Sequence, residues 1–464
     1  MSKLYVFGIG GTGSRVLHSL TMLLASGVKC DIDTIVPIII DPDDSAANLT
    51  EAVEAMKKYS AVRKKLDFTQ PVENQFFRTE LKETVTNYRL PLKNTQNDTF
   101  SQYIGLETMP SASKALMKML YSDKNLASDM KVGFKGNPNI GSIVLNQFAQ
   151  SDELKQFAND FQQGDKIFIV SSIFGGTGAS GFPLLLKTLR SNNKLPNFAL
   201  INSANIGALT VLPYFNVKQD SGSTIDSATF ISKTKSALSY YDRNISGNNS
   251  VDYLYYIGDD ITATYQNVEG GVGQKNAPHI VEMLSALAIL DFAQMNKPST
   301  TVHKEYGIEK DSKQVIFSDF GQNSQNLLKA PLTQFLLFTK YMQVEREKEY
   351  KHQPWAIDNN FDRTFFESQY IQDIAFLQKG YMDWLTQMIS NQRSFRPFVL
   401  DAPELFKMVN GIEPRSMKCL SSNYALVDNM LNKQNTVKAA SQEQRFMCLF
   451  YDATKQLVKH KFNF

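Results

Sequence analysis

The feature that most constrains this chain is the stretch 166–189, KIFIVSSIFGGTGASGFPLLLKTL. Its β-branched start, Ile167–Val170, predicts a buried strand of a parallel sheet. The apolar run Phe182–Leu186, with Pro183 in its first turn, predicts the opening of a helix. The loop between them holds three glycines around one threonine, namely Gly175, Gly176, Thr177 and Gly178. Glycine uncovers backbone N–H groups and a helix N-terminus adds positive potential, so the stretch predicts a phosphate site. A plain strand-to-helix turn is the alternative.

The N-terminal stretch LYVFGIGGTGSRVLHSLTMLL repeats this order. Leu4–Phe7 predicts a strand, and the apolar spacing of Val16, Leu17 and Leu20 predicts the helix that follows. The loop between them carries four glycines, Gly8, Gly10, Gly11 and Gly13. Their spacing, G-x-G-x-x-G, is the dinucleotide fingerprint, and it also fits adenylate-binding folds. The loop thus predicts a phosphate contact without choosing among these classes.

A third segment, TIVPIIIDPDD, predicts a buried strand that ends in Asp41, Asp43 and Asp44. Carboxylates at the carboxyl edge of a parallel sheet lie where ligands bind in open α/β folds, so they are suited to ribose hydroxyls or to a phosphate-bound Mg²⁺. A solvated Asp-Pro turn is the alternative, especially for Asp43 and Asp44. The protein by itself is not predicted to hold a metal.

Two later segments extend the pattern. The segment VGFKGNPNIG predicts an irregular loop followed by a helix. This loop is predicted to supply further amides to the phosphates that the other glycine loops bind. QKNAPHIVEMLSALAILDFAQM predicts a long buried helix, on which His279 and Glu282 share one face. A metal or acid–base role is one interpretation of this pair, and a satisfied buried pair is the favoured one.

Composition excludes several classes of function. The net charge is +3 with both signs interspersed, which does not predict a nucleic-acid surface. Cys30, Cys419 and Cys448 lie far apart without zinc-ligand spacing, so neither a metal site nor a disulfide framework is predicted, and a reducing cytoplasm fits best. No apolar run predicts a membrane span or a signal peptide.

Together these loops resemble, in order, those of the tubulin/FtsZ superfamily, and most closely its divergent bacterial members. FGGTGASGFP is similar to the superfamily's GGGTG[ST]G signature, although Phe174 replaces its first glycine and Ala179-Ser180 its last two residues. The resemblance implies a cytoskeletal, filament-forming homo-oligomer that binds GTP or GDP with Mg²⁺. The nucleotide contacts that it implies are Gly10, Gly11, Thr12, Gly13, Ser14, Arg15, Asp41, Gly136, Asn137, Gly175, Gly176, Thr177, Gly178 and, on guanine, Asn276. Arg15 stands where the cell-division branch has a guanine-contacting asparagine, which leaves the choice of base open.

Hydrolysis is less clearly predicted. In the family, an acidic loop after the central helix enters the neighbouring subunit's site and positions water. Asp291 echoes that loop, but it lies only about four helical turns after Asn276. Glu305 and Glu309 are later candidates without the motif. GTPase activity is therefore left open.

The sequence thus predicts an α/β fold: a parallel-sheet nucleotide-binding domain, residues 1–298, with an inserted region at about 50–130 and a central long helix. A mainly helical or α+β C-terminal domain, 299–464, follows and ends in an amphipathic basic tail. The alternatives are a ThiF-like adenylating enzyme, echoed by GIGGTGS and by Asn48-Leu49, a nucleotide-binding scaffold without turnover, and a dinucleotide oxidoreductase. The last is weakened because Asp41 comes about 28 residues after Gly13, against ~20 in that site.

Overall fold

The computed structural model describes residues 2–69, 72–95, 98–130, 134, 136–217, 227–260, 263–265, 277–305, 308, 313–345, 352–415, 423–434 and 441–464. Several residues that the sequence predictions involve lie outside these ranges, namely Gly133 of the segment VGFKGNPNIG, Asn276, Glu309 and Cys419.

Seven parallel strands form the main sheet, in the order β3-β2-β1-β4-β5-β7-β9. The strands are β1 Lys3–Ile9, β2 Thr34–Ile40, β3 Glu80–Leu81, β4 Lys166–Ser172, β5 Asn205–Val211, β6 Phe215–Val217, β7 Tyr253–Ile257, β8 Ala263–Tyr265, β9 Val302–Glu305, β10 Gln314–Val315 and β11 Ser394–Phe395. β6 pairs with β8 and β10 with β11, each pair also parallel. The β-branched and aromatic strands of the sheet centre are buried on both faces, as the sequence predicts for a parallel sheet.

The sheet reverses its order at β1. The chain proceeds from β1 to β2 on one side, whereas β4 pairs with β1 on the other, with Gly8 opposite Val170. In open α/β sheets, ligands bind outside the carboxyl ends of the strands at such a switch point. The two loops that the sequence predicts to bind phosphate follow β1 and β4, so the fold brings both to this point.

Helices cover both faces of the sheet. They are α1 Gly10–Ala25, α2 Ala47–Arg63, α3 Phe100–Tyr103, α4 Ser111–Leu120, α5 Asp123–Leu126, α6 Pro138–Leu145, α7 Asp152–Asp160, α8 Gly176–Ser191, α9 Phe198–Ser203, α10 Ser227–Tyr241, α11 Ile280–Gln294, α12 Gln322–Glu345, α13 Pro354–Asp358, α14 Arg363–Phe366, α15 Gln369–Ser390, α16 Asn423–Lys433 and α17 Gln442–Phe462. Side chains alternate along β1: Tyr5 and Phe7 contact Phe157 of α7, and Gly8 lies against Gly13 of α1. α1 packs beside α2, α11 and α15, and α8 beside α6 and α9.

The C-terminal third is mainly helical, as predicted. α12 packs on α17, and α17 on α16, around an aromatic core that includes Phe338, Trp355 and Phe450. The amphipathic tail is α17, and it packs on the body of the protein. α15 reaches the helices that cover the main sheet, where the indole Nε1 of Trp384 donates to Ser19 Oγ of α1 at 3.1 Å.

Several local predictions were wrong. α8 begins at Gly176 rather than near Pro183, which is the eighth residue of the helix, and α1 begins at Gly10. Glycine disfavours helix interiors, but the first-turn amides need no intrahelical partner, and Gly13 and Gly178 lie against strands. The polar composition of the residues after Pro298 predicts a linker, but this segment contains β9, which pairs with β7 and extends the sheet past residue 298. The division into domains at that residue stays a prediction.

Candidate nucleotide-binding site

The first turns of α1 and α8 meet at the switch point. Gly10 adopts φ +70°, and a Cβ built on it would lie 3.4 Å from the Cβ of Thr177. Ser14, fully buried one turn later, donates from Oγ to the Gly10 carbonyl at 3.4 Å. Positive φ and the absent Cβ let the two loops approach closely. Both helix N-termini therefore direct unpaired amides into one region, as an anion site requires.

The loop before α6 joins them. A Cβ on Gly176 would lie 3.0 Å from the Cβ of Phe134 and 3.1 Å from the amide nitrogens of Gly136 and Asn137. Asn137 is the N-cap of α6, and its Oδ1 accepts from the amide of Asn139 at 3.1 Å. The loop of the VGFKGNPNIG segment thus lies against the loop that holds Gly175–Gly178, and three helix N-termini converge.

The glycines of these loops are not equivalent. A Cβ on Gly13 would lie 2.3 Å from the carbonyl carbon of Gly8, and one on Gly178 would lie 2.5 Å from the carbonyl oxygen of Ser172. Packing of helix on strand alone therefore requires glycine at these two positions. On Gly11 a Cβ would meet only Arg15 Nη1, at 3.5 Å. Packing among the described residues gives no reason for glycine there, and the open space leaves this stretch of backbone accessible to a ligand.

Arg15 is held in a buried network rather than left free. Its Nε donates to Glu282 Oε1 at 2.6 Å, and its Nη2 donates to the hydroxyls of Tyr214 at 3.3 Å and Thr12 at 3.4 Å. Tyr214 also donates to Glu282, at 2.8 Å. All four side chains are buried. The network ties Arg15, in the second turn of α1, to the first turn of α11, 267 residues away in sequence.

His279 and Glu282 form the satisfied buried pair that the sequence favours. His279 is the N-cap of α11, and its Nδ1 accepts from the amide of Val281 at 3.2 Å. The His279 amide in turn donates to Glu282. Burial lowers the pKa of His279, although the carboxylates of Glu282 and Asp259 act against that shift. Both side chains are therefore used in capping and in the network around Arg15.

Asp41 is buried at the carboxyl end of β2. Its Oδ1 accepts from the amide of Asp43 at 3.0 Å. Burial raises the pKa of Asp41 to about 7; the Asp43 carboxylate adds to the rise, whereas the Asp43 amide and the guanidinium of Arg89 oppose it. Asp43 is buried as well and accepts from Ser45. The alternative of a solvated turn therefore fits only Asp44, which is exposed and paired with Arg89.

The catalytic candidates lie away from these loops. α11 begins at the carboxyl edge of the sheet and ends near the start of β4, where Lys166 Nζ donates to the carbonyl of Ala293 at 2.7 Å. Asp291 lies 11 residues after Ile280, or about 16 Å along the axis. It accepts from Tyr255 at 2.8 Å and pairs with Lys304 at 2.7 Å. Glu305 ends β9, three strands and about 14 Å from β4.

Sequence reasoning missed Tyr214 and Arg89. Tyr214 comes shortly after β5 ends, so the rule that selected Asp41 at the end of β2 would also have selected it. Arg89 reaches Asp44 from a loop 45 residues away and has no comparable local signal. Among the described residues, no group of three His, Cys, Asp or Glu side chains could hold a metal ion. In those same ranges, no helix is both long enough and apolar enough to span a bilayer.

Comparison with known proteins adds fold neighbours. No protein-family model matches the chain, and no curated protein sequence does. The chain is similar to solved structures of the tubulin/FtsZ superfamily. An FtsZ variant from M. jannaschii is 14% identical over 64% of this chain and 58% of its own, with a TM-score of 0.32. CetZ from Methanosaeta thermophila is 16% identical over 56% and 46%, with a TM-score of 0.30.

A helical model of the two-stranded TubZ-Bt filament is 15% identical over 64% of this chain and 54% of its own, with a TM-score of 0.28. The matched part thus spans roughly half the length of each of these structures. All three TM-scores lie below 0.5, so these similarities concern the fold alone.

Proposed function

We propose that this protein binds a guanine nucleotide, with its phosphates at the first turns of α1, α6 and α8. The observation that carries the proposal is the convergence of these three glycine-containing turns at the β1/β4 switch point. The amides of Gly11, Thr12, Gly176 and Thr177 bind the phosphate oxygens. The choice of guanine comes from the resemblance, which assigns the base to Asn276.

Asp41 fits the Mg²⁺ or the ribose of such a nucleotide. Carboxylate oxygens suit Mg²⁺, which is usually held by one or two carboxylates together with substrate phosphates. The buried carboxyl of Asp41 lies at the same sheet edge as the phosphate loops and has its pKa raised to about 7. A cation beside it favours the ionised form. Bound Mg²⁺ would offset charge on the phosphates.

Assembly is the second part of the proposal. The phosphate loops occupy the carboxyl edge of the sheet, and Asp291 lies near the opposite edge. It is too far away to reach the phosphates of its own chain, so it acts only on those of a neighbour stacked head to tail. Heterologous contacts of this kind generate open filaments. Turnover by Asp291 requires release from Tyr255 and Lys304.

The first experiment is equilibrium binding of GTP to the nucleotide-stripped protein, with ATP and NAD as competitors. Gly11→Ala is the test variant because it leaves the packing unchanged. Gly380→Ala is the matched control: a Cβ there meets only Met22 atoms, at 3.7 Å or more, on a helix remote from the loops. Binding that is lost in Gly11→Ala, kept in Gly380→Ala and resistant to ATP supports the proposal.

Preference for ATP would instead favour the adenylating enzyme. If no nucleotide binds, the protein would be interpreted as a scaffold. Assembly is tested separately by light scattering of the GTP-bound protein. If concentrated, nucleotide-loaded protein stays monomeric, the assembly part of the proposal fails while the binding part stands. Neither Asn48 nor Leu49, the echo of the adenylating family, gives independent support for that alternative, since both are buried in the first turn of α2.

A further inference from the structure

A cavity of about 640 Å³ lies between α6, α8 and α10, and the nucleotide proposal does not use it. Ser142 of α6, Leu184 of α8 and Ala237 of α10 line its three sides. Its volume lies within the range of sites that bind small molecules. It runs along α8 away from the phosphate loops and adjoins them at Phe174, Gly175 and Ala179 and at the first turn of α6.

The lining is selective in its chemistry. Aromatic and aliphatic side chains supply the body of the cavity, among them Phe174, Leu184 and Tyr240. Tyr240 leaves 49% of its surface exposed, although one edge of its ring packs on Tyr241 at a centroid distance of 6.3 Å. Two lysines, Lys187 and Lys233, also line the cavity, and no carboxylate does among the described residues. A ligand there therefore meets apolar surface, neutral hydroxyl groups and positive charge, but no negative charge from the described residues.

The two lysines differ in their availability. Lys233 donates from Nζ to the carbonyl of Gly136, which holds its amine at the end of the cavity near α6. Lys187 is exposed and makes no ion pair or hydrogen bond within the part of the chain that the structure describes. An unpartnered ammonium beside an apolar surface attracts an anion that also carries an apolar body.

We propose that this cavity is a binding site for a small aromatic anion. The rings of the ligand pack on Phe174, Leu184 and Tyr240, and its carboxylate, sulfonate or phosphate group faces Lys187. Ring contacts supply most of the affinity, because burial of aromatic surface contributes more binding free energy than an exposed ion pair does. Lys187 supplies the preference for an anion over a neutral molecule of the same shape. This preference is modest, because an exposed ion pair contributes only a small binding free energy.

The test uses two dyes of the same ring system with the full-length protein. Anilinonaphthalenesulfonate carries a sulfonate, and phenylnaphthylamine is the same pair of rings without it. We expect the sulfonate to bind about fivefold tighter, and Lys187→Gln to remove that preference without weakening the neutral dye. Ala237→Trp fills the cavity, so both dyes should bind at least about tenfold more weakly.

Two further variants keep the test decisive. Ser236→Trp fills the cavity from an exposed position on α10, so it serves if Ala237→Trp does not fold. Ala149→Trp fills the neighbouring cavity of about 660 Å³, which Lys187 also lines. Dye binding that survives both α10 variants, or that Ala149→Trp weakens equally, overturns the proposal. Equal affinity of the two dyes for the unmodified protein also overturns it.

Discussion

Asp41 gives the sharpest link between burial and a measurable property. Its carboxyl is buried, and this burial raises its pKa to about 7 because the opposing effects of the Asp43 amide and of the Arg89 guanidinium are smaller. Asp41→Asn replaces it with a neutral group of the same shape. The folded protein then no longer has to bury a charge above pH 7, and we expect the variant to be more stable there.

The magnitude follows from the shift. An ordinary aspartate has a pKa of about 3.9, so the rise to about 7 is roughly 3 pH units, or about 4 kcal/mol as an upper value. The folded state binds more protons than the unfolded state between about pH 4 and pH 7. Stability of the unmodified protein attributable to Asp41 is therefore full below about pH 4 and is lost as pH rises to about 7.

The assay is thermal unfolding of nucleotide-free protein from pH 4 to pH 8. The Tm of Asp41→Asn should match that of the unmodified protein near pH 4 and exceed it by several degrees at pH 8. Asp44→Asn is the control, because that carboxylate is exposed in the same turn. Parallel Tm curves for Asp41→Asn and the unmodified protein would refute the assignment of the raised pKa to a buried carboxyl.

Three further predictions concern other parts of the site. Gly13→Ala should lower the free energy of unfolding by about 3 kcal/mol or more, because the added Cβ would meet backbone at 2.3 Å. Gly11→Ala should leave the free energy of unfolding unchanged or raise it by up to about 1 kcal/mol. Chemical denaturation of both variants checks these two values. Glu282→Ala should lower the free energy of unfolding by about 3–5 kcal/mol, because it leaves Arg15 buried without its carboxylate partner. Replacing both Arg15 and Glu282 by Met should recover most of that loss, as measured by the same unfolding curves. An equal loss in the double variant would contradict this prediction. Asp291→Asn should slow phosphate release by assembled protein while GTP affinity is unchanged, and an equal turnover rate in both proteins would remove Asp291 from catalysis.

Local sequence determined the elements that build the site. Runs such as Ile167–Val170 are too apolar to lie anywhere but in a sheet buried on both faces, and the apolar circumference of α11 predicted a buried central helix. Order along the chain was also sufficient to predict that the glycine loops follow strands. Since parallel strands align their carboxyl ends, this placed the loops and Asp41 at one edge.

Tertiary structure alone decided what each residue does at that edge. The sequence treats Gly11 and Gly13 alike, but only Gly13 lies against a neighbouring strand. Arg15 and Glu282 are separated by 267 residues, and no periodicity relates them. β9 is too polar and too short to be recognised as a strand from its sequence. It forms a strand because it pairs with the edge of β7. Pattern reasoning detects neighbours within a helical turn or a strand, whereas close packing and ion pairing depend on distances that only the folded chain sets.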